Sequence, residues 1–449
     1  MALILLQFSP IVEPAVFEWS RHVPRANSST HSEASPNPKP RTWDPKARCS
    51  GPVHPFAPDA RFEYNPLPVP STRPAHEAQP WTQQARGQAE DSPINAISGG
   101  TGVSGEQRGW TVKKVVILGE RKAGLVEVPD PRPSEDWVLV KIHAVPMCTE
   151  YKAFVSGRKI EYLGHEAAGE VVAVAQPGRV QVGDRVVVMP QYPCGKCELC
   201  VSGDYIYCEN SHDFSAFVGA PEGRATYAQY ILKPSWLLPR IPDGLSYERA
   251  SLAMCALGPS FGAFDLMGID AFDTVLITGT GPVGLGAVVN ARFCGARVVA
   301  VESIPYRVER AKMLGADAVI DPRSEDALRV VRELTNGKGV DKALDCSGAL
   351  AAQRFCIDAT RRKGQVTFVG ECSEELQIRV SPDLIRKGLT VRGSWHYNLS
   401  LFPRIMQVIQ ESPVIEHLIS HVFPMSQVQK ALELSASQQC AKIILKPWV

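Results

Sequence analysis

Four cysteines fall in one short run, Cys194-x-x-Cys197-x-x-Cys200, with Cys208 closing it after seven more residues. Thiolates at this spacing, with Gly195 and Gly203 permitting tight turns, can close a tetrahedron around one zinc ion. Four protein ligands leave no open position, so the chemistry is structural: such an ion staples a lobe that lacks a core of its own. An iron–sulfur cluster and chance clustering are the competing readings of the spacing. A second group of metal-binding types is dispersed along the chain. His165, in Leu163-Gly164-His165-Glu166, would by itself be read as a hydrogen-bonded structural histidine. It gains weight from Cys148, which follows Val145-Pro146-Met147, and from Cys255, which follows Leu252-Ala253-Met254. Two thiolates and an imidazole with the fourth position open to water make a catalytic zinc site rather than a structural one. Any one of the three residues alone is weak evidence.

The other chemistry-bearing stretch runs from Val275 to Glu302. Val275-Leu276-Ile277 reads as a buried strand and leads directly into Gly279-x-Gly281-x-x-Gly284. An apolar stretch from Val283 to Phe293 has the length of a helix, and Arg297 to Val301 reads as a second strand ending in Glu302. In this order the glycines form a dinucleotide fingerprint, whereas a lone glycine-rich turn would mark only an ordinary α/β protein. Gly279 permits the tight turn, Gly281 lets backbone approach a pyrophosphate, and Gly284 lets helix pack against strand. The helix N-terminus offers free N–H groups to phosphates. Glu302 stands roughly 20 residues on, where a carboxylate accepts from ribose hydroxyls and repels a 2′-phosphate, so NAD is expected over NADP. Pro282, Val283 and Arg307 complete the residues expected at the cofactor.

The elements that must position these groups change character along the chain. Residues 1 to about 110 are rich in proline, Ser, Asn and Arg, hold no apolar period, and are expected to be disordered. From Thr111 short strands recur between Gly, Pro and Asp turns: Lys114–Leu118, Trp137–Ile142, Glu170–Val174 and Gly183–Val188. From about residue 256 strands alternate with helices, the pattern of a parallel sheet with crossovers. Further strands are expected at Ala343–Cys346, Gln365–Val369, Leu389–Gly393 and Lys442–Lys446, the last returning to the first domain. The 449-residue chain has a net charge of +1 and 21% charged residues, which gives no general pull toward nucleic acid or anionic membrane. No apolar run approaches the ~18 residues of a membrane-spanning helix, and the opening MALILLQF lacks the flanks of a secretory signal. Four of twelve cysteines in one metal-type cluster point to a reducing, cytoplasmic setting.

Together these motifs resemble the zinc-containing medium-chain alcohol dehydrogenases, a family that includes polyol and threonine dehydrogenases. The likeness covers about Thr111 to Val449. It rests on Gly164-His165-Glu166, Gly183-Asp184-Arg185-Val186, the four-cysteine lobe, Ala250-Ser251-Leu252 leading to Cys255, the run Gly279 to Gly286, and the ending Lys442 to Pro447. It implies an α/β fold with a GroES-like β domain at 111–255, completed by 396–449, and a doubly wound Rossmann domain at 256–395. It also implies that Cys148, His165 and Cys255 hold a catalytic zinc, that Glu166 is the carboxylate beside it, and that the four clustered cysteines hold a structural one. Two zinc ions per chain, NAD, a small alcohol substrate and a homo-oligomer, dimer or tetramer, follow from the same likeness. An open zinc lowers the pKa of an alcohol, whose carbon then passes hydride to a nicotinamide enclosed between the two domains.

One departure from the family pattern lies at Cys148-Thr149-Glu150-Tyr151. Where relatives carry a hydroxyl and then an aspartate, an ungapped alignment puts Glu150 and Tyr151. A one-residue shift would align Thr149 and Glu150 correctly but place Met147 at the metal, and Cys148 is the better zinc ligand. Thr149 and Glu150 are therefore both candidates for the alcohol's proton path. The loop from Cys148 to His165 also looks shorter than usual, which would alter the substrate pocket. Within Gly393-Ser394-Trp395-His396-Tyr397-Asn398, His396 and Tyr397 fall where polyol dehydrogenases line the substrate; packing at the domain junction is the alternative. The expectation is oxidation of a secondary alcohol, polyol or sugar-like. Threonine-type or simple-alcohol oxidation, or a non-catalytic nucleotide-binding protein of the same fold, are the alternatives.

Overall fold

The computed structural model describes residues 111–160, 162–211, 221–323 and 326–449; the expected Pro-rich extension at 1–110 lies outside them. Two six-stranded sheets hold the candidate residues. The first is built on β3 (Trp137–Pro146), which pairs with β4 (Ala167–Val174), β6 (Tyr230–Pro234) and β14 (Lys442–Lys446), while β5 (Arg185–Val188) and β13 (Ile419–Pro424) extend the edges. A hairpin of β1 (Thr111–Gly119) and β2 (Lys122–Pro129) stands beside it. The alternation in β3 separates two apolar faces rather than an apolar face from a wet one. Val138, Val140 and Ile142 enter the main β-domain core, and Trp137 and Leu139 join a smaller cluster with Leu232.

The second sheet is parallel. It comprises β7 (Thr274–Thr278), β8 (Arg297–Val301), β9 (Ala318–Ile320), β10 (Val340–Asp345), β11 (Thr360–Phe368) and β12 (Thr390–Gly393), in spatial order β9-β8-β7-β10-β11-β12. That order winds outward in both directions from the β7–β10 pair, and the switch point at the C-terminal ends of these two strands is where such sheets bind dinucleotides. Val275, Leu276 and Ile277 are fully buried, as the continuous apolar run requires of a strand covered on both faces. The helix Pro282–Phe293 follows, with Gly281 at its N-cap and proline at its first turn. Gly284 is obligatory here: a Cβ would lie 1.9 Å from the Gly279 carbonyl oxygen.

One core cluster runs from Ala168 and Val187 through Leu252, Ala253, Met254, Ala256 and Leu257 into Ile277 and Leu285. Cys255 thus sits on a segment packed between the two sheets. The strands β2, β6, β9 and β13 had no clear signal in the sequence. The Ala318–Ile320 strand is very short, β2 pairs only with β1 and stays largely half-exposed, and β6 and β13 each end on a proline.

Candidate active site

Each residue of the dispersed group is delivered by a different device. The Met147 N–H donates to the Ile443 oxygen at 2.8 Å, so the C-terminal strand holds Cys148 just beyond the end of β3. Met147 itself is buried in the β-domain core and is not among the clustered ligand atoms. His165 lies on the approach to β4, where the Leu163 and Gly164 oxygens accept from the Tyr227 and Thr226 N–H groups at 3.0 and 3.4 Å. Gly164 adopts φ +93°, and a Cβ there would meet the Tyr227 ring at 2.2 Å, so only glycine fits. Cys255 follows the turn Ser251–Ala253, and its N–H donates to Glu166 Oε2 at 3.2 Å.

These devices converge. Ligand atoms of Cys148, His165, Glu166 and Cys255 all lie within 4.8 Å of one another, with His165 Nε2 at 3.2 Å from Cys255 Sγ. Two thiols and an imidazole are a zinc-type donor set, and the half-buried Cys148, His165 and Cys255 leave one side of it accessible. Contact with the Cys255 thiol pulls the Cys148 thiol well below its ordinary range; burial opposes, and Lys442 and His165 assist. A thiolate at Cys148 is the form that binds metal. Glu166 is fully buried, with Oε1 at 2.7 Å from Lys442 Nζ and at 3.8 Å from His165 Nε2. Burial pushes Glu166 up to about 7 although Lys442 opposes it. For Lys442 burial acts downward, but Glu166 and the two cysteines hold the ammonium above its usual range.

The geometry assigns Glu150 a task other than the expected proton path. Its Oε1 lies 3.0 Å from His165 Nδ1, and its Oε2 accepts from the Cys148 N–H at 2.7 Å and from the Tyr227 hydroxyl at 3.2 Å. Burial would raise this carboxyl, yet His165 and the hydrogen bonds hold it at about 2. A carboxylate on Nδ1 fixes the tautomer that leaves Nε2 free for metal. Thr149, the other candidate, is exposed, and Tyr151 opens the short helix Tyr151–Ser156.

The clustered cysteines form a second, separate group. Cys197 Sγ lies 3.4 Å from Cys200 Sγ and 3.8 Å from Cys208 Sγ, and Cys194 Sγ lies 4.0 Å from Cys200 Sγ. The Cys197 N–H donates to Cys194 Sγ and the Cys194 N–H to Cys208 Sγ, bonds that stabilise thiolates. Every described cysteine is free, so no disulfide competes with metal. The lobe docks on the segment 395–399: the Trp395 N–H donates to the Tyr207 hydroxyl at 2.8 Å, and Asn398 Nδ2 to Asp204 at 2.9 Å. His396 and Tyr397 are buried and stacked, with ring centroids 4.6 Å apart. His396 takes φ +61°, unusual for a bulky residue. Its Nδ1 lies 3.4 Å from the Tyr205 hydroxyl, while its Nε2 is buried without a partner among the described residues. Burial, then the charge of His165, pushes His396 down to about 3, so its ring is neutral.

At the crevice of the parallel sheet, Glu302 Oε2 accepts from the Thr280 N–H and hydroxyl at 2.9 and 3.0 Å. Its Oε1 accepts from the Ser303 and Ile304 N–H groups at 2.7 and 3.0 Å. Beyond the ribose contact expected of it, Glu302 thus ties the glycine turn at Thr280 to the Ser303–Ile304 backbone. Arg307 points its guanidinium at Gly281, Cζ lying 3.9 Å from where a Cβ would be, and its buried Nε has no partner among the described residues. An orphaned cationic N–H beside a helix N-terminus is what a pyrophosphate would satisfy. The residues present fit a dinucleotide.

Lys442, Tyr227 and Tyr205 were not singled out from sequence. Lys442 carried a signal in being a lysine opening a strand whose other members are apolar; the two tyrosines carried none.

A thiolate–imidazole metal site set against a dinucleotide-type sheet defines a metal-dependent dehydrogenase. Residues 134–243 match the alcohol dehydrogenase GroES-like domain and residues 282–411 the zinc-binding dehydrogenase domain. Sorbitol dehydrogenase of Bacillus subtilis is 32% identical over 350 residues, covering 75% of this chain and 97% of that protein. L-threonine 3-dehydrogenase of Symbiobacterium thermophilum is 32% identical over 343 residues, covering 72% and 94%. The solved structure of an alcohol dehydrogenase from Thermus sp. ATN1 superposes with a TM-score of 0.68 at 28% identity, covering 74% of this chain and 99% of that one. The chain belongs to the zinc-containing medium-chain alcohol dehydrogenase family.

Proposed function

We propose that the protein oxidises a secondary alcohol bearing further hydroxyls, a polyol or sugar-like compound, using zinc at Cys148, His165 and Cys255 and NAD at the Gly279–Gly284 turn. The observation that carries this reading is the convergence of those three side chains and Glu166 on one point, reached from three separate parts of the chain. Likeness to a sorbitol dehydrogenase supports the substrate class. When bound, zinc lowers the pKa of an alcohol and the nicotinamide accepts its hydride. Glu150 keeps the His165 Nδ1 proton in place, so the imidazole presents Nε2 in one orientation. Lys442 donates to Glu166 and so orients its carboxyl group beside the site, opposing the rise that burial imposes on it. The unpartnered His396 Nε2 offers a neutral hydrogen-bonding atom to a substrate hydroxyl, with Tyr205 steadying the other nitrogen.

The working division is a catalytic part at 111–255 with 396–449 and a cofactor part at 256–395, with a second, structural zinc in the four-cysteine lobe. A cytoplasmic setting is supported by the free state of every described cysteine. Among the described residues no single helix is long and apolar enough to cross a membrane. A homo-oligomer, dimer or tetramer, is expected from the family likeness alone. The test is to screen zinc-loaded protein against polyols, L-threonine and aliphatic alcohols by NADH absorbance, with metal analysis of the same sample. Polyol-dependent NADH and about two zinc per chain are expected. One zinc per chain and no NADH from any alcohol would refute the reading.

A further inference from the structure

A cavity of about 310 Å³ shares His165 with the metal site. Its wall is formed by Tyr162, Pro190, Tyr192, Arg224, Thr226 and Lys233, among others. Strand β6 places Ile231 and Lys233 on one face, and both reach this wall. Lys233 is only 2% exposed; its ammonium donates to the Gln191 oxygen and lies 3.7 Å from the Tyr192 ring centre. The Arg224 guanidinium lies 4.6 Å over the Tyr162 ring. Neither cation forms an ion pair with any described carboxylate. The two carboxylates of the metal site are committed elsewhere, Glu150 to His165, Cys148 and Tyr227, and Glu166 to Lys442 and Cys255. Thr226 Oγ1 is buried on the same wall with no partner among the described residues.

The cavity thus sets two cationic side chains, with no carboxylate among its described lining residues, beside the Gln191 amide and the hydroxyls of Tyr162, Tyr192 and Thr226, which can both donate and accept. Arg224 can only donate and is charged, and Lys233 is likewise a pure donor in its ammonium form. A neutral polyol could use those amide and hydroxyl groups but would leave both cations without a counter-charge. An oxyanion would supply the counter-charge that the Gln191 oxygen and the Tyr192 ring do not give Lys233. Burial holds the Lys233 ammonium well below its usual range, as expected of a cation lacking its counter-charge. The volume is at the lower end of small-molecule sites, enough for a short acyclic compound.

We infer that the substrate of this enzyme is an acidic polyol, carrying a carboxylate or phosphate that sits between Arg224 and Lys233 with its carbinol toward His165. The position of the carbinol rests on the dehydrogenase reading above; the anion site rests on the cavity alone.

The test is calorimetric titration of the zinc-loaded full chain with sorbitol, gluconate and sorbitol 6-phosphate, alongside NADH formation from each. At least one anion is expected to bind about tenfold more tightly than sorbitol, equivalent to about 1.4 kcal/mol. Which anion gains identifies the charged group as carboxylate or phosphate. The advantage is expected to shrink severalfold in Arg224→Gln, at a half-exposed position where folding is not at stake, and in Lys233→Met. Two outcomes overturn the inference: neither anion binding better than sorbitol, or an advantage that survives both substitutions, which would mean that the anion binds the metal or another surface. Sorbitol turnover with no anion preference would sink the inference and leave the dehydrogenase intact. An anion preference lost in the variants, with no NADH from any alcohol, would do the reverse.

Discussion

Glu150→Gln is the substitution that separates a positioning carboxylate from a proton-transfer one. Glu150 touches His165 at 3.0 Å, the Cys148 N–H at 2.7 Å and the Tyr227 hydroxyl at 3.2 Å. Glutamine keeps the shape but removes the charge, so the Nδ1–H of a metal-bound imidazole loses its ionic acceptor. Outer partners of metal-binding histidines are worth about 10- to 100-fold in metal affinity, or roughly 1.4–2.8 kcal/mol. The variant should therefore release zinc from this site at about 10- to 100-fold lower chelator strength while the four-cysteine lobe keeps its ion. Equilibrium competition with a chromophoric chelator, read with zinc content per chain, measures both. Activity lost on dialysis should return when zinc is restored to excess. The sign with pH is also defined. The folded-state pKa of Glu150, about 2, lies below the ordinary 4.5, so its contribution is complete above about 4.5 and is lost as pH falls through about 2. The gap between wild type and variant should accordingly stay constant from about pH 8 to 5. Unchanged zinc affinity, or a deficit in turnover that excess zinc cannot repair, would refute the positioning role.

Cys200→Ser should leave about one zinc per chain and lower the melting temperature by about 5 °C or more, with faster proteolysis within the lobe. Because Tyr205 would then loosen from His396, KM for the alcohol should rise more than kcat falls; steady-state kinetics at saturating NAD would show it. Glu302→Ala removes an acceptor from Thr280, Ser303 and Ile304 as well as from the ribose, so NAD affinity should fall roughly 30-fold, about 2 kcal/mol, with discrimination against NADP relaxed. Fluorescence titration with both reduced cofactors checks this, and an unchanged preference would remove Glu302 from the ribose. Gly284→Ala puts a Cβ 1.9 Å from the Gly279 oxygen and should destabilise by more than about 2 kcal/mol in denaturant, with loss of dinucleotide binding.

Local motifs were legible because their chemistry is set by short spacing. A strand, three glycines, a helix and an acid specify a dinucleotide turn wherever they occur, and the sheet order β9-β8-β7-β10-β11-β12 agrees with it. Four cysteines within one loop can meet only one another. The choice of Cys148 over Met147 also followed from ligand chemistry, and the structure buries the methionine in the core.

What lay beyond the sequence was direction. Reading Cys148-Thr149-Glu150 as a line of letters left Thr149 and Glu150 both as candidates for the proton path; the turn before the helix Tyr151–Ser156 sets the Glu150 carboxylate against His165 Nδ1. Lys442 meets Glu166 across 276 residues only because β14 pairs with the end of β3. Arg224 and Lys233 share a cavity wall because one ends a short turn and the other lies on an inward face of β6. Residue types and close spacing determined which metals and cofactor this chain can hold. Strand pairing and turn geometry decided which charges face them, because side-chain direction is a property of the backbone path and no local pattern encodes a partner hundreds of residues away.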